Sequence, residues 1–378
     1  MFLLNEMLMM SPLVLYTGLR LGVLIRSKAG RIVFAISYLL LLPAFPLAEK
    51  LAHGNGPAWT TVLMKAGYDA LPFLMYLVLT VVLTDLAMGL LRILKIVSAE
   101  TLRRPRVRAI RFWAMLLVPT LIVAAGMLNF AHLSVSRYVI DVPRRSSSAD
   151  RIRLVFASDF HLAAVTSPRF LPRFVETVNA LEPDLILIGG DVLEGDRQGE
   201  GVEAFAAQFR RLRAKYGVYG VPGNHDRFGG ANRTSFFARA GITLLRDEVK
   251  NIEGILYLAG RNIADRSRRG AARRKTVAEL LSATPRDLPV ILLDHRPTEL
   301  EAAAASGVDV QFSGHTHDGQ LFPVNLITAL QYELSWGYKK KGPTHVFVSC
   351  GVQLWGPRVR TAGVSEIMLV DVDFRGGL

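Results

Sequence analysis

The chain has 378 residues, enough for two units, with 45 Lys and Arg against 32 Asp and Glu and a net charge of +13. A single cysteine, Cys350, excludes an intramolecular disulfide and a thiolate metal cluster. The positive charge does not itself argue for nucleic acid, because much of it flanks apolar runs, where basic residues set membrane topology.

Residues 1–134 hold five acids (Glu6, Glu49, Asp69, Asp85 and Glu100) and 13 Lys and Arg. Three runs approach the ~20 apolar residues that cross a bilayer: Ile32–Ala48, Leu71–Leu91 and Phe112–Leu133. Leu8–Ile25 is a fourth candidate, weakened by Pro12 and Arg20. Pro43 and Pro46 are expected to kink the first run. A unit of three to four transmembrane helices is therefore expected over residues 1–134.

Basic residues crowd two loops, Arg26–Arg31 and Arg92–Arg111, and charge bias places both in the cytoplasm. The chain after Leu133 is then expected outside the cytoplasmic membrane of a bacterium, although Arg137, Arg144 and Arg145 count the other way. Asp85, inside a span, is costly there. It is expected either to have a function or to pair with a nearby Arg at the basic boundary. Residues 135–150, with Pro143, Arg144, Arg145 and three serines, read as a linker.

From residue 151 to 378, short apolar runs alternate with amphipathic stretches, as in an α/β domain. Strands are expected at Ile152–Ala157, Leu185–Ile188, Gly217–Val221, Ile255–Ala259, Val290–Leu293, Val308–Phe312, His345–Ser349 and Glu366–Val372. Helices are expected at Pro168–Leu181, Gly201–Tyr216, Thr234–Ala240, Arg274–Ser282 and Thr298–Ser306.

Five strands run directly into residues that can ligate metals. They are Asp159-Phe160-His161, Gly189-Gly190-Asp191, Gly223-Asn224-His225-Asp226, Asp294-His295, and Gly314-His315-Thr316-His317. Ligands of α/β sheets gather at the carboxyl ends of strands. Asp-x-His and His-x-His put two donors on one side of an extended chain. The donors are all oxygen and nitrogen, which suits Mn, Fe or Zn, and two such ions can clamp a phosphate and activate water. Each block alone has an ordinary structural reading, as a turn or a core histidine. Five in order at five strand ends do not.

This series resembles the calcineurin-like metallophosphoesterases, and within them a bacterial branch with membrane-anchored members. That branch also ends its His-x-His block in Gly-Gln, here Gly319-Gln320, and Gly351 with Pro357-Arg358 resembles its carboxyl-terminal pattern. The resemblance implies a four-layer αββα sandwich after the all-α transmembrane unit, and a binuclear centre. Asp159, His161 and His317 would hold one ion and Asn224, His295 and His315 the other, with Asp191 bridging. His225 would protonate the leaving oxygen and Asp226 would orient it. An acid shortly after Gly-Asp would be Glu194 or Asp196, and Asp318 departs from a common glycine.

The branch includes hydrolases of lipid-linked nucleotides such as UDP-2,3-diacylglucosamine of lipid A biosynthesis, which fits an anchor but sits awkwardly with an external domain. Partners are then a phosphate ester, with a lipid-linked one as the narrower expectation, and the bilayer, with no nucleic acid expected. Leu321–Tyr338 with Lys339-Lys340-Lys341 could meet a lipid surface. Arg261, Arg266, Arg268, Arg269, Arg273, Arg274 and Lys275 could meet phosphates, as could Arg358 or Arg360. The alternatives are a metal-dependent nuclease, or a sensor or transporter-associated protein with an inactive hydrolase domain.

Overall fold

The computed structural model describes residues 2–52, 58–163, 165–194, 200–227, 236–263 and 273–375. Its contacts divide the chain into two compact units. One is Met1–Leu128 with Gly356–Thr361, and the other is Asn129–Trp355 with Ala362–Leu378.

The first unit is helical: Phe2–Leu24, Lys28–Leu41, Ala44–Ala52, Ala58–Ile93, Ala99–Arg103 and Pro105–Ala131. Three stretches among the described residues are long and apolar enough to cross a membrane: Lys28–Ala48, Trp59–Ile93 and Pro105–Ala131. Ser11–Leu24 is a shorter apolar helix. Pro43 has no amide hydrogen to donate, so the helix stops at Leu41 and restarts at Ala44. The 36 residues of Ala58–Ile93 extend about 54 Å at ~1.5 Å each, well beyond a ~30 Å hydrocarbon core. Gly67 lets this helix meet Ala44–Ala52 closely, since a Cβ there would lie 2.2 Å from the Ala44 carbonyl oxygen. Asp85 is paired, as one of its two readings held. It accepts from Arg20 Nη2 at 2.7 Å, Arg111 Nη2 at 3.0 Å and Tyr16 Oη at 2.7 Å.

The second unit is built on two six-stranded mixed sheets. In the first lie β1 (Leu133–Pro143), β2 (Arg151–Ala157), β3 (Leu185–Ile188), β4 (Val218–Gly220), β5 (Thr243–Leu244) and β12 (Ser365–Arg375), in the order β1-β12-β2-β3-β4-β5. In the second lie β6 (Glu248–Ile252), β7 (Leu256–Gly260), β8 (Val290–Leu293), β9 (Val310–Ser313), β10 (Gly337–Lys341) and β11 (Thr344–Val348), in the order β10-β11-β9-β8-β7-β6. Neighbours β2, β3 and β4 are parallel, as are β7, β8 and β9, so each trio ends on one edge.

Strand alternation sorts the core into layers. Leu154 and Phe156 face the second sheet with Ile291, Leu293 and Phe312, and the Phe156 and Phe312 rings stack at 5.1 Å. Val155 and Ala157 face the helices Phe170–Ala180 and Glu200–Phe209 through Phe174, Val178 and Phe209. Beyond the second sheet, Leu292 and Val290 meet the helix Val277–Leu281 and Ala303 of the helix Leu300–Ala305. This is the four-layer arrangement expected. Each fully buried large apolar side chain contributes roughly 1.5–3 kcal/mol.

The segment read as a linker at 135–150 departs from expectation. It opens as β1, which pairs along its whole length with β12 in parallel register, Leu133 opposite Ser365 and Pro143 opposite Arg375. Only residues 144–150 connect. The last apolar run likewise ends earlier than Leu133, at Ala131. The helix expected at Gly201–Tyr216 ends at Phe209, where tight turns close on Gln208 and Phe209 carbonyls. Of Thr234–Ala240, residues 236–239 are helical and the start lies outside the described residues.

Candidate metal centre

The five strand ends converge. β2 delivers Asp159 and His161, β3 Asp191, β4 Asn224 and His225, β8 His295, and β9 His315 and His317. Three overlapping sets of donors result, each with single ligand atoms within 4.8 Å of one another: first Asp159, His161 and His317, second Asp191, His295 and His315, and third His161, Asp191 and His225. Asn224 joins the second, its Oδ1 3.1 Å from His295 Nε2. Asp191 stands between the sets, with Oδ2 3.2 Å from His295 Nε2 and 3.9 Å from His161 Nε2.

The backbone at these positions is strained. Asp159, His161, Asp191, His315 and His317 have φ of 57, 41, 51, 73 and 51°. Left-handed backbone costs a non-glycine residue roughly 1 kcal/mol or more and persists where surroundings enforce it, typically at functional sites. Here the enforcing contacts are visible. The His161 amide donates to the Asp191 carbonyl at 3.0 Å, and the His315 amide donates to the Asp159 carboxylate at 3.0 and 3.1 Å. Gly223 is required by close approach, because a Cβ there would lie 2.0 Å from Asp191 Oδ1.

The tautomers show what the pocket is built to hold. His161 Nδ1 donates to Glu194 Oε2 at 2.8 Å and His295 Nδ1 donates to the Gly189 carbonyl at 2.8 Å. Both Nε2 atoms therefore point inward, placed to ligate a metal ion once they carry no proton. His161 Nε2 lies 3.1 Å from His317 Nε2, and His295 Nε2 faces an amide oxygen and a carboxylate oxygen. Nitrogens and oxygens gathered this closely need a shared positive charge among them, a proton or a metal ion. The donor set therefore fits two divalent ions with oxygen and nitrogen ligands.

Charge leads the same way. Asp159, Asp191 and His295 are 0, 2 and 1% exposed. Burial depresses the His295 imidazole, but the Asp191 and Asp159 carboxylates outweigh it and lift His295 to about 9. His315 is pushed down to about 3 by burial and by His295. Burial raises the Asp159 carboxyl, whereas His295 holds Asp191 well below the usual range despite burial. The site attracts positive charge.

Two roles are placed differently from expectation. The carboxylate on His225 belongs to Glu194, whose Oε1 lies 3.0 Å from His225 Nδ1. Asp226 instead accepts backbone amides from Gly223 at 2.8 Å, Val192 at 3.0 Å and Leu193 at 3.3 Å, which ties the β3 and β4 loops together. Burial raises the Glu194 carboxyl, but hydrogen bonds from His161 and His225 outweigh it and bring it to about 2. Its alternative, Asp196, lies outside the described residues. Glu194 was legible only as an acid after Gly-Asp. That it joins two histidines from different strands depends on the fold.

The basic residues expected to meet phosphate are mostly occupied. Arg261, 2% exposed at its side chain, pairs with Asp294 at 2.8 Å and Glu299 at 2.7 Å, and Arg274 also pairs with Asp294. They buttress the loop that carries His295. Lys339 and Lys341 both reach Glu333 at 2.9 Å. Arg358 bonds Asp69 at 2.6 Å inside the helical unit, where Arg360 is fully buried. Arg266, Arg268 and Arg269 lie outside the described residues. Asp318 accepts from Ser335 Oγ at 3.2 Å, and nothing places it among the ligands.

Two mixed sheets thus bring sets of Asp, His and Asn donors together at their strand ends. Residues 152–319 match the profile of the calcineurin-like phosphoesterase family. That family uses a dinuclear metal centre. The chain is similar to an uncharacterized metallophosphoesterase of Helicobacter pylori, 32% identical over 57% of this chain and 58% of that protein. One of Aquifex aeolicus is 29% identical over 68% of this chain and 99% of its own length. A transmembrane protein with metallophosphoesterase domain from Bos taurus is 29% identical over 71% of this chain and 64% of its own. The match thus spans 58% of the length of the Helicobacter relative.

Proposed function

We propose that the chain is a membrane-anchored, two-metal hydrolase of phosphodiester or pyrophosphate bonds. The observation that carries this reading is Asp191, 2% exposed, standing between donor sets whose imidazole Nε2 atoms face inward. Asp159, His161 and His317 would hold one divalent ion, and Asn224, His295 and His315 the other, with Asp191 bridging. Bound there, such ions supply a clamp for phosphate oxygens and the activation of water.

The chain's own residues supply the proton and its alignment. His225 Nδ1 faces Glu194 Oε1 at 3.0 Å, which leaves Nε2 as the nitrogen that takes up a second proton. Burial lowers its affinity for that second proton, but the Glu194 hydrogen bond and the Asp191 charge outweigh it and raise His225 above the usual imidazole value. A protonated imidazole at the pocket rim can hand a proton to a leaving oxygen. Glu194 also fixes the His161 ring, so one carboxylate aligns a ligand and the acid together. Asp226 keeps the two loops in register.

The finer reading is a lipid-linked phosphate, of which UDP-2,3-diacylglucosamine is one example. It is supported by the helix Val324–Gln331, which follows the His317 block and leaves Leu326, Ile327 and Leu330 54, 57 and 89% exposed, with Phe322 beside them. Such a face suits a lipid surface. The catalytic domain is proposed on the external side of a bacterial cytoplasmic membrane, from the basic loops that precede the last span.

The test uses the full chain in detergent with added Mn and an aryl phosphodiester. Turnover with two ions bound per chain is expected. Fewer than two ions and no turnover on any phosphate ester would favour an inactive domain. Reporter fusions after Leu133 and Leu378 decide the side.

A further inference from the structure

Within the helical unit, a groove of about 1070 Å³ opens between the helices Phe2–Leu24, Lys28–Leu41 and Pro105–Ala131. Its walls are apolar. Leu15, Leu19 and Leu39 are 63, 63 and 64% exposed along it, and Gly18 and Tyr38 form its floor, where a Cβ on Gly18 would lie 2.8 Å from the Tyr38 ring. One end is basic. Arg31 Nε donates to the Ile25 carbonyl at 2.9 Å, and Arg108 Nη2 donates to the Val23 carbonyl.

These two guanidiniums differ from their neighbours. Arg20 and Arg111 both pair with the carboxylate of Asp85. Among the described residues no carboxylate pairs with Arg31 or Arg108. Each spends a donor on a backbone carbonyl at a helix end, which fixes its position, and an arginine has five. An uncompensated pair of guanidiniums at the mouth of an apolar groove calls for an anion with an apolar tail. Guanidinium suits phosphate oxygens in particular. Two of its three walls belong to stretches long and apolar enough to cross a membrane, Lys28–Ala48 and Pro105–Ala131, where such molecules are at hand.

We propose that this groove is a binding site for one anionic phospholipid, its acyl chain along Leu15 and Leu19 and its phosphate on Arg31 and Arg108. Basic pockets between transmembrane helices recognise anionic head groups by this logic. The site is separate from the metal centre and stands whether or not the hydrolase reading does.

Native mass spectrometry of the full chain, delipidated in detergent and then offered equal phosphatidylglycerol and phosphatidylcholine, reads the outcome. One retained phosphatidylglycerol per chain is expected, at least tenfold over phosphatidylcholine. Arg31→Gln/Arg108→Gln should lose that preference. Arg103→Gln/Arg106→Gln, which removes equal charge from the same basic loop outside the groove, should keep it. Leu39→Trp, which bulks the groove wall about two helical turns from Arg31, should lose retention while its melting temperature in phosphatidylcholine shows that it folds. Millimolar inorganic phosphate should not displace the lipid. Equal retention of both lipids, or equal loss in the two double variants, overturns the proposal, as does displacement by phosphate.

Discussion

Two acidic sites, one in each unit, are balanced in opposite ways. Asp85 among the apolar helices meets Arg20, Arg111 and a tyrosine hydroxyl, so its charge is answered by the chain itself. Asp159 and Asp191 at the strand ends meet imidazoles, amides and a serine hydroxyl, with no arginine or lysine against them among the described residues. The first cluster is complete without a ligand. The second is complete only when positive charge enters it, and its strained backbone shows that the fold enforces the arrangement against local preference. An acid in an unfavourable place is therefore informative only once its counter-charge has been identified.

Metal removal breaks the comparison most directly. Chelation should take phosphodiester turnover to background, and Mn should restore it, while the Asp85 cluster and the helical unit are unaffected. A chelated chain with full turnover would undo the metal reading. Next in size, His225→Ala should lower kcat by about 10²–10⁴-fold with two ions still bound per chain, as checked by elemental analysis. Loss of metal in that variant would place His225 among the ligands instead.

Glu194→Gln should cost about 10–100-fold in metal affinity or kcat, because it loosens His161 and removes the charge that keeps His225 protonated. Its effect is distinguishable from a structural one by the pH profile, whose limb for the acid should move to lower pH. Asp85→Leu should destabilise the helical unit by about 2–3 kcal/mol, below the ~3–5 of a fully buried pair because Arg20 is partly exposed. Adding Arg20→Met and Arg111→Met should recover most of that in thermal melts. Smallest is a proton effect. Metal needs neutral imidazole, and His295 holds a proton below about 9. Mn affinity should therefore rise by about tenfold per pH unit up to that value and level off above it, as titration calorimetry would read.

The chemistry was more legible than its support. The five blocks could be read because each follows a short strand, and β3 and β8 are wholly apolar with all four residues buried. Metal donors are also among the few residue types whose pattern survives without coordinates. The roles of Glu194 and Asp226 were not legible in the same way. Both are acids near His225 in sequence, and only the packing of β3 beside β4 decides which reaches the ring and which takes the amides. Arg261 and Arg274 looked free for phosphate because their partner, Asp294, had been read only as part of the block before His295. The strand β1 was hidden because its partner lies at the other end of the chain. Its polar positions, Ser134, Ser136 and Arg137, carry no signal of a sheet edge until β12 is beside them.

That pairing sets a timetable for the molecule. β12 lies between β1 and β2, so the first sheet is split until the last strand is made. At roughly 5–20 residues per second, the ribosome leaves β1 and the adjoining edge of β2 without their neighbour for on the order of tens of seconds. Through that interval the domain must be held open, and a chain cut short before Ser365 would lose the middle of a sheet rather than a tail.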